Sequence, residues 1–155
     1  MDVTRIPLGS AVFEGHNNAY LLEGSVTTLI DVGASTPTVR ENLLRGLDEA
    51  DVSLTEIDRI LLTHWHADHS GLAGEIQERT GAAVFAHEAD VPLIAQDPDA
   101  VGELDELRDR RFEQWGIPEA KLAELLEFRD GFQSAKGAPA DVDPLSEGDR
   151  IAAGD

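Results

Sequence analysis

The fold of this chain is decided by one stretch, Thr63-His64-Trp65-His66-Ala67-Asp68-His69-Ser70-Gly71. Because residues two apart in an extended segment point the same way, His64 and His66 can direct two imidazoles at one ion. Asp68 and His69 follow where the chain turns into a helix, and their side chains can face a second ion. Imidazole and carboxylate groups together suit Zn²⁺, Fe²⁺ or Mn²⁺. The alternative is a solvated polar loop in which the histidines cluster without a ligand.

This stretch lies between an apolar strand and a helix that a glycine ends. β-branched and apolar runs predict strands over residues 3–8, 18–23, 26–31, 59–62 and 82–86. Apolar spacing and capping residues predict a helix after Thr36-Pro37, a second over residues 70–79, and a pair between Asp97 and Asp130. The strand–helix–strand alternation predicts α/β layers. Ligand sites collect at the carboxyl ends of the strands in such sheets, which is where the stretch 63–71 falls.

Composition restricts the chemistry. The 155 residues hold no cysteine, so disulfides, thiolate metal sites and cysteine nucleophiles are excluded. The net charge of −19 disfavours binding to nucleic acid or to anionic membranes. Acids spread along the chain, with few lysines, are typical of a surface adapted to high salt, although an ordinary acidic domain is the alternative. With neither a membrane-spanning run nor a signal peptide's apolar core, we expect a cytoplasmic protein.

The stretch 63–71 is similar to the signature of the metallo-β-lactamase-fold hydrolases, and residues 18–22 followed by 29–33 resemble the opening strands of that family. The resemblance implies that His64 and His66 bind a first metal ion and that Asp68 and His69 bind a second. It implies one or two Zn²⁺ ions, with Fe²⁺ or Mn²⁺ as alternatives. Asp31 matches an aspartate beneath the metal loop, although a turn aspartate at a strand end is the alternative. Thr63 is either a brace for the loop or simply a strand residue.

The chain departs from the family's pattern after these residues. A complete family site takes a third histidine, a bridging aspartate and a last histidine, and no histidine follows His87. We therefore expect the N-terminal half of an αββα sandwich, with one sheet face and an edge uncovered. Its expected parts are a sheet and metal loop (residues 1–96), a helical insertion (97–131), and a loop leading into the next strand (132–155). A fragment with an incomplete site would bind metal weakly and turn over little substrate.

The function implied by the resemblance is glyoxalase II-like hydrolysis of a small thioester or ester through metal-bound hydroxide, with Asp68 orienting the nucleophile. One alternative is an iron-dependent enzyme resembling persulfide dioxygenases. Another is a non-catalytic module, or a split chain that pairs with a C-terminal half or forms a homo-oligomer. The expected ligand is a small molecule, with no nucleic acid or membrane partner. The helical insertion is either a cap over the site or a surface hairpin.

Other candidate side chains carry weaker signals. His16 lies in a polar turn and His87 ends a strand, and neither matches a family ligand. We expect Trp65 to pack at the rim of the site. Phe112 and Trp115 are expected to pack between helices rather than to bind substrate.

Overall fold

The computed structural model describes residues 2–9 and 16–152. Its centre is a six-stranded sheet whose strands lie side by side in chain order. The pairs β1–β2 and β2–β3 are antiparallel, whereas β3–β4, β4–β5 and β5–β6 are parallel. The strands are β1 (Asp2–Gly9), β2 (Asn17–Glu23), β3 (Thr28–Ile30), β4 (Arg59–Leu61), β5 (Ala83–His87) and β6 (Val142–Leu145).

Helices connect the parallel strands, as the α/β prediction requires. They are α1 (Pro37–Glu49), α2 (Ala67–Ser70), α3 (Ala73–Thr80), α4 (Val91–Ile94), α5 (Pro98–Gln114) and α6 (Glu119–Gln133), and a 3₁₀ turn lies at Leu54–Glu56. The α/β class is thereby confirmed. No helix among the described residues is both long and apolar enough to cross a bilayer.

Helix α1 shows how the sequence builds one covered face of the sheet. The Thr36 hydroxyl accepts a hydrogen bond from the Val39 amide, and Pro37 occupies the first turn, where its missing N–H costs nothing. Three side chains at helical spacing, Val39, Leu43 and Leu47, are buried. They join the core cluster that contains the inward-facing strand residues, among them Ile6, Leu21, Leu29, Ile60 and Val84.

The helix predicted over residues 70–79 is divided in two, and it begins earlier than predicted. Helix α2 starts at Ala67, so Asp68 and His69 lie within it. The break arises because the Leu72 amide donates to the Gly33 carbonyl at 3.0 Å instead of to the carbonyl of Asp68. The second part, α3, ends as predicted at Gly81, which has a φ of 75°.

The last strand also differs from the prediction. Residues 132–155 are expected to form a loop that leads into the next strand, but the strand of this segment is already complete at Leu145, it includes Pro144, and residues 146–152 form no strand. In the described sheet β6 has β5 as its one neighbour, so the missing N–H of Pro144 can face away from the ladder.

The sheet face opposite α1 carries a row of large apolar side chains. Tyr20, Ile30, Leu61 and Phe85 lie in one register row across four adjacent strands. Tyr20 is 39% exposed, and the other three are half-buried. Nothing in the described part of the chain forms a second layer of sheet over this row.

Helices α5 and α6 leave and rejoin the domain at one point. The Gln96 side-chain amide, just before α5, donates to the Gly137 carbonyl, shortly after α6, at 3.0 Å. No side chain of α5 is buried. Trp115, expected to pack between helices, is 68% exposed, although its ring lies 6.4 Å from that of Phe112.

Candidate metal centre

The residues singled out from the sequence come together at the carboxyl ends of two parallel strands. Asp31 directly follows β3, and the stretch 63–71 follows the neighbouring strand β4. The Asp31 amide donates to the Leu61 carbonyl at 2.9 Å, and the Val32 amide donates to the His69 carbonyl at 2.9 Å. Backbone hydrogen bonds therefore fix the stretch 63–71, here called the metal loop, against the end of β3.

Asp31 is the buried centre of the loop. It is 6% exposed and has a φ of 55°, a left-handed conformation that aspartate tolerates better than most residues. Its Oδ1 atom accepts the Thr63 amide at 2.8 Å. Its Oδ2 atom accepts the Thr63 hydroxyl at 2.8 Å and lies 2.8 Å from His69 Nδ1. One carboxylate thus joins both ends of the metal loop.

These hydrogen bonds assign the tautomers of two histidines. Because His69 Nδ1 faces a carboxylate, it carries the proton and leaves the Nε2 lone pair free. The Thr63 hydroxyl gives its proton to Asp31, so its oxygen accepts the Nδ1–H of His64 at 3.0 Å. His64 therefore also presents an Nε2 lone pair. This is the tautomer that an Nε2 metal ligand needs.

The four predicted ligands form two pairs. His64 Nε2 lies 3.1 Å from His66 Nδ1, and His69 Nε2 lies 3.5 Å from Asp68 Oδ2. The rings of His64 and His69 are 4.2 Å apart between centroids, so the pairs are adjacent. Two ligands of a tetrahedral ion with bonds of about 2.0–2.1 Å are separated by roughly 3.3 Å. Each pair therefore has the spacing of two ligands on one ion.

The donor set fits divalent metal ions in type and spacing, but only two donors converge in each pair. Within residues 2–9 and 16–152, no group of three or more histidine, aspartate and glutamate side chains is arranged to hold one ion. Asp31 is not a third donor to the second pair, because its Oδ2 atom accepts the Nδ1–H of His69, on the side of the ring away from Nε2.

The two histidines that Asp31 orients have opposite pKa shifts. Burial lowers the pKa of His64, and the nearby His69 and His66 lower it further, which favours the neutral imidazole that a metal requires. The hydrogen bond to Asp31 raises the pKa of His69 despite partial burial. A metal ion on His69 would therefore displace a proton that Asp31 stabilises.

Further contacts brace the loop from outside. The Ser70 hydroxyl lies 2.9 Å from the Trp65 carbonyl oxygen and 3.1 Å from the His66 carbonyl oxygen, and its one proton can be donated fully to only one of them at a time. The Trp65 ring lies edge-on to the His66 ring, with centroids 4.5 Å apart, and packs against the core, as expected of a residue at the rim. Asn17, which the sequence did not single out, donates from Nδ2 to Asp68 Oδ2 at 2.7 Å. Asn17 and Asp68 are 51 positions apart in the sequence, so no local pattern signals this contact.

The two weaker histidine candidates are exposed. His16 precedes β2, and His87 ends β5, where its Nδ1 atom accepts the Ala89 amide at 3.2 Å.

Comparisons with known proteins identify related sequences and structures. The profile of the metallo-beta-lactamase superfamily matches residues 12–154. The probable metallo-hydrolase YqjP of Bacillus subtilis is 36% identical over 92 residues, which are 59% of this chain and 28% of YqjP. Thioesterase pkgB of Emericella nidulans is 32% identical over 91 residues, which are 59% of this chain and 24% of pkgB.

A solved structure matches nearly the whole chain. The metallo-beta-lactamase family protein TTHA1429 from Thermus thermophilus aligns over 97% of this chain and 48% of its own length, with a TM-score of 0.75 and 28% identity. The chain thus spans between about a quarter and a half of the length of these relatives. The profile match extends over most of the sequence and includes the metal loop, so the chain belongs to the metallo-beta-lactamase superfamily.

Proposed function

We propose that this chain carries the metal-binding loop of a metal-dependent hydrolase that acts on a small thioester or ester. The observation that carries the proposal is the arrangement of the two donor pairs, with His64 and His69 each turned so that an Nε2 lone pair faces its partner donor. Support for the reaction class comes from two relatives, one named a probable metallo-hydrolase and one named a thioesterase.

Each residue has a defined task in this proposal. His64 and His66 hold one divalent ion, and Asp68 with His69 holds a second. When bound, such ions supply a water of lowered pKa and polarise the substrate's carbonyl oxygen. Asp68 Oδ2 faces His69, whereas its Oδ1 atom accepts no hydrogen bond from the described residues. Oδ1 can therefore accept the proton of the attacking water and return it to the leaving group.

The number of donors sets the strength of binding. Catalytic zinc sites use three protein ligands, and each pair here supplies two. We therefore expect the 155-residue chain to bind Zn²⁺ or Co²⁺ weakly and to hydrolyse substrates slowly.

The test compares metal binding by His66→Ala and Asp68→Ala with that of a control, His87→Ala, which removes an exposed histidine outside the metal loop. Co²⁺ titration followed by visible absorption reports on the ligands, and hydrolysis of an acyl-glutathione thioester and of p-nitrophenyl acetate reports on the reaction. Each loop variant should lose Co²⁺ binding at its own donor pair together with the metal-dependent turnover, and the control should keep both pairs and the turnover. Equal Co²⁺ binding by all three variants would refute the site, and loop variants that hydrolyse as fast as the control would refute the reaction.

A further inference from the structure

The side chain of Asn17 reaches from the first residue of β2 to the metal loop. Its Nδ2 group donates to Asp68 Oδ2 at 2.7 Å and to the Asp68 carbonyl oxygen at 3.0 Å. An amide nitrogen carries two protons, so both hydrogen bonds can form at once. A single side chain thus holds the backbone and the carboxylate of the same residue.

We propose that Asn17 is a positioning residue that fixes the carboxylate of Asp68 for metal binding. The proposal rests on the proposed function, in which Asp68 binds a metal ion. Donation to Oδ2 restricts rotation of the carboxylate and keeps that oxygen 3.5 Å from His69 Nε2, its partner donor. Oδ1 accepts no hydrogen bond from the described residues and is left available to the reacting water.

The break between α2 and α3 makes this contact necessary. In a continuous helix the Asp68 carbonyl would accept the Leu72 amide, but that amide donates to Gly33 instead. Asn17 satisfies the carbonyl that the break leaves open. The segment around Asp68 is therefore held from one side by β2 through Asn17 and from the other by Asp31 through His69.

Serine or threonine at position 17 could not do the same. A hydroxyl has one proton to donate, so it could hold either the carbonyl or the carboxylate of Asp68, but not both. Aspartate would have the right size, but it would turn an oxygen toward Oδ2. The chemistry at this position thus specifies an amide, and the length of asparagine matches the 2.7 Å and 3.0 Å contacts.

The experiment measures Co²⁺ affinity and the visible d–d spectrum of the full 155-residue chain for Asn17→Ala and Asn17→Ser. The matched control is Asn18→Ala, the next residue of β2, which makes no hydrogen bond to the metal loop among the described residues. Changes to groups that orient metal ligands typically reduce affinity by 10- to 100-fold. We expect at least a tenfold loss for Asn17→Ala, a smaller loss for Asn17→Ser and none for the control. The absorption bands should shift in the first two variants.

The readout separates positioning from a purely structural role. If Asn17→Ala lowers the urea midpoint but binds Co²⁺ as tightly as Asn18→Ala, with unchanged bands, the proposal is wrong. Should Asn17→Ala fail to fold, Asn17→Ser decides the matter by the same comparison. Failure of the proposed function has a different signature, because Asp68→Ala itself would then leave Co²⁺ binding intact.

Discussion

Replacing Asp31 by asparagine should destabilise the metal loop and remove the hydrogen bonds that fix the tautomers of its histidines. Asparagine is nearly isosteric with aspartate and tolerates the φ of 55°, so the backbone need not move. In the wild type, the Thr63 hydroxyl and His69 Nδ1–H both donate to Asp31 Oδ2. In the variant, the amide oxygen can still accept the Thr63 amide, but an NH₂ group faces those two donors.

The magnitude follows from those two contacts. Hydrogen bonds to a charged group contribute about 1.5–3 kcal/mol each, and this carboxylate is only 6% exposed. Loss of both should lower the free energy of unfolding by about 3 kcal/mol or more, a large fraction of the 5–15 kcal/mol typical of a domain. Without the carboxylate, the pKa of His69 should fall, because the hydrogen bond to Asp31 is the main cause that raises it.

The assay is urea unfolding at neutral pH, together with NMR titration of the histidine rings. Asp51→Asn provides the matched control, since Asp51 is exposed and has nearly the same φ, 57°, but lies at the end of α1. The control should change stability by less than about 0.5 kcal/mol. The reasoning is refuted if Asp31→Asn is as stable as Asp51→Asn and His69 keeps its wild-type pKa.

Two further predictions concern the scaffold. Arg40 holds the pKa of the Glu75 carboxyl below its usual range through a side-chain hydrogen bond, so this pair stabilises the fold above pH 4.5 and loses its effect as pH falls through the lowered pKa. Both side chains are about a third exposed, so Glu75→Gln should cost only about 0.5–1 kcal/mol at pH 7, with the difference shrinking by pH 3 in urea unfolding. Gly33→Ala would place a Cβ atom 2.5 Å from Val39 Cγ1 at a φ of 83°, whereas Gly81→Ala has a φ of 75° and open space. Thermal unfolding should show about 1–2 kcal/mol lost at Gly81 and at least 1 kcal/mol more at Gly33, and equal losses would contradict the packing argument.

The sequence predicted those parts of the site that depend on the two-residue alternation of side chains in an extended segment. His64 and His66 are two apart in an extended segment, and the structure brings their Nε2 and Nδ1 atoms to 3.1 Å. Asp31 was identified only through resemblance to a family, with a turn aspartate as the alternative. The structure shows its contacts with Thr63 and His69, while the metal-binding roles stay predictions.

What the sequence did not predict depends on contacts between distant segments. An asparagine at the start of a strand has no pattern of its own, so the contact of Asn17 with Asp68 could not be read locally. The break near Leu72 depends on Gly33, nearly forty residues away, which competes for the amide. Pro144 lies within β6 although a loop is expected there, and a strand with a single neighbour in the described sheet tolerates proline because one side of it makes no ladder hydrogen bonds.

The hydrogen bond between Gln96 and Gly137 brings the two ends of the α5–α6 segment together, so this segment could be removed or replaced without altering the metal loop. Because the chain departs and returns at one point, a short linker could replace both helices without stretching the backbone on either side. The four donor side chains come from residues 64–69, outside the removed segment. Helical pairs of other lengths or compositions could be grafted at the same junction, so the surroundings of the site could be redesigned while its ligands stay in place.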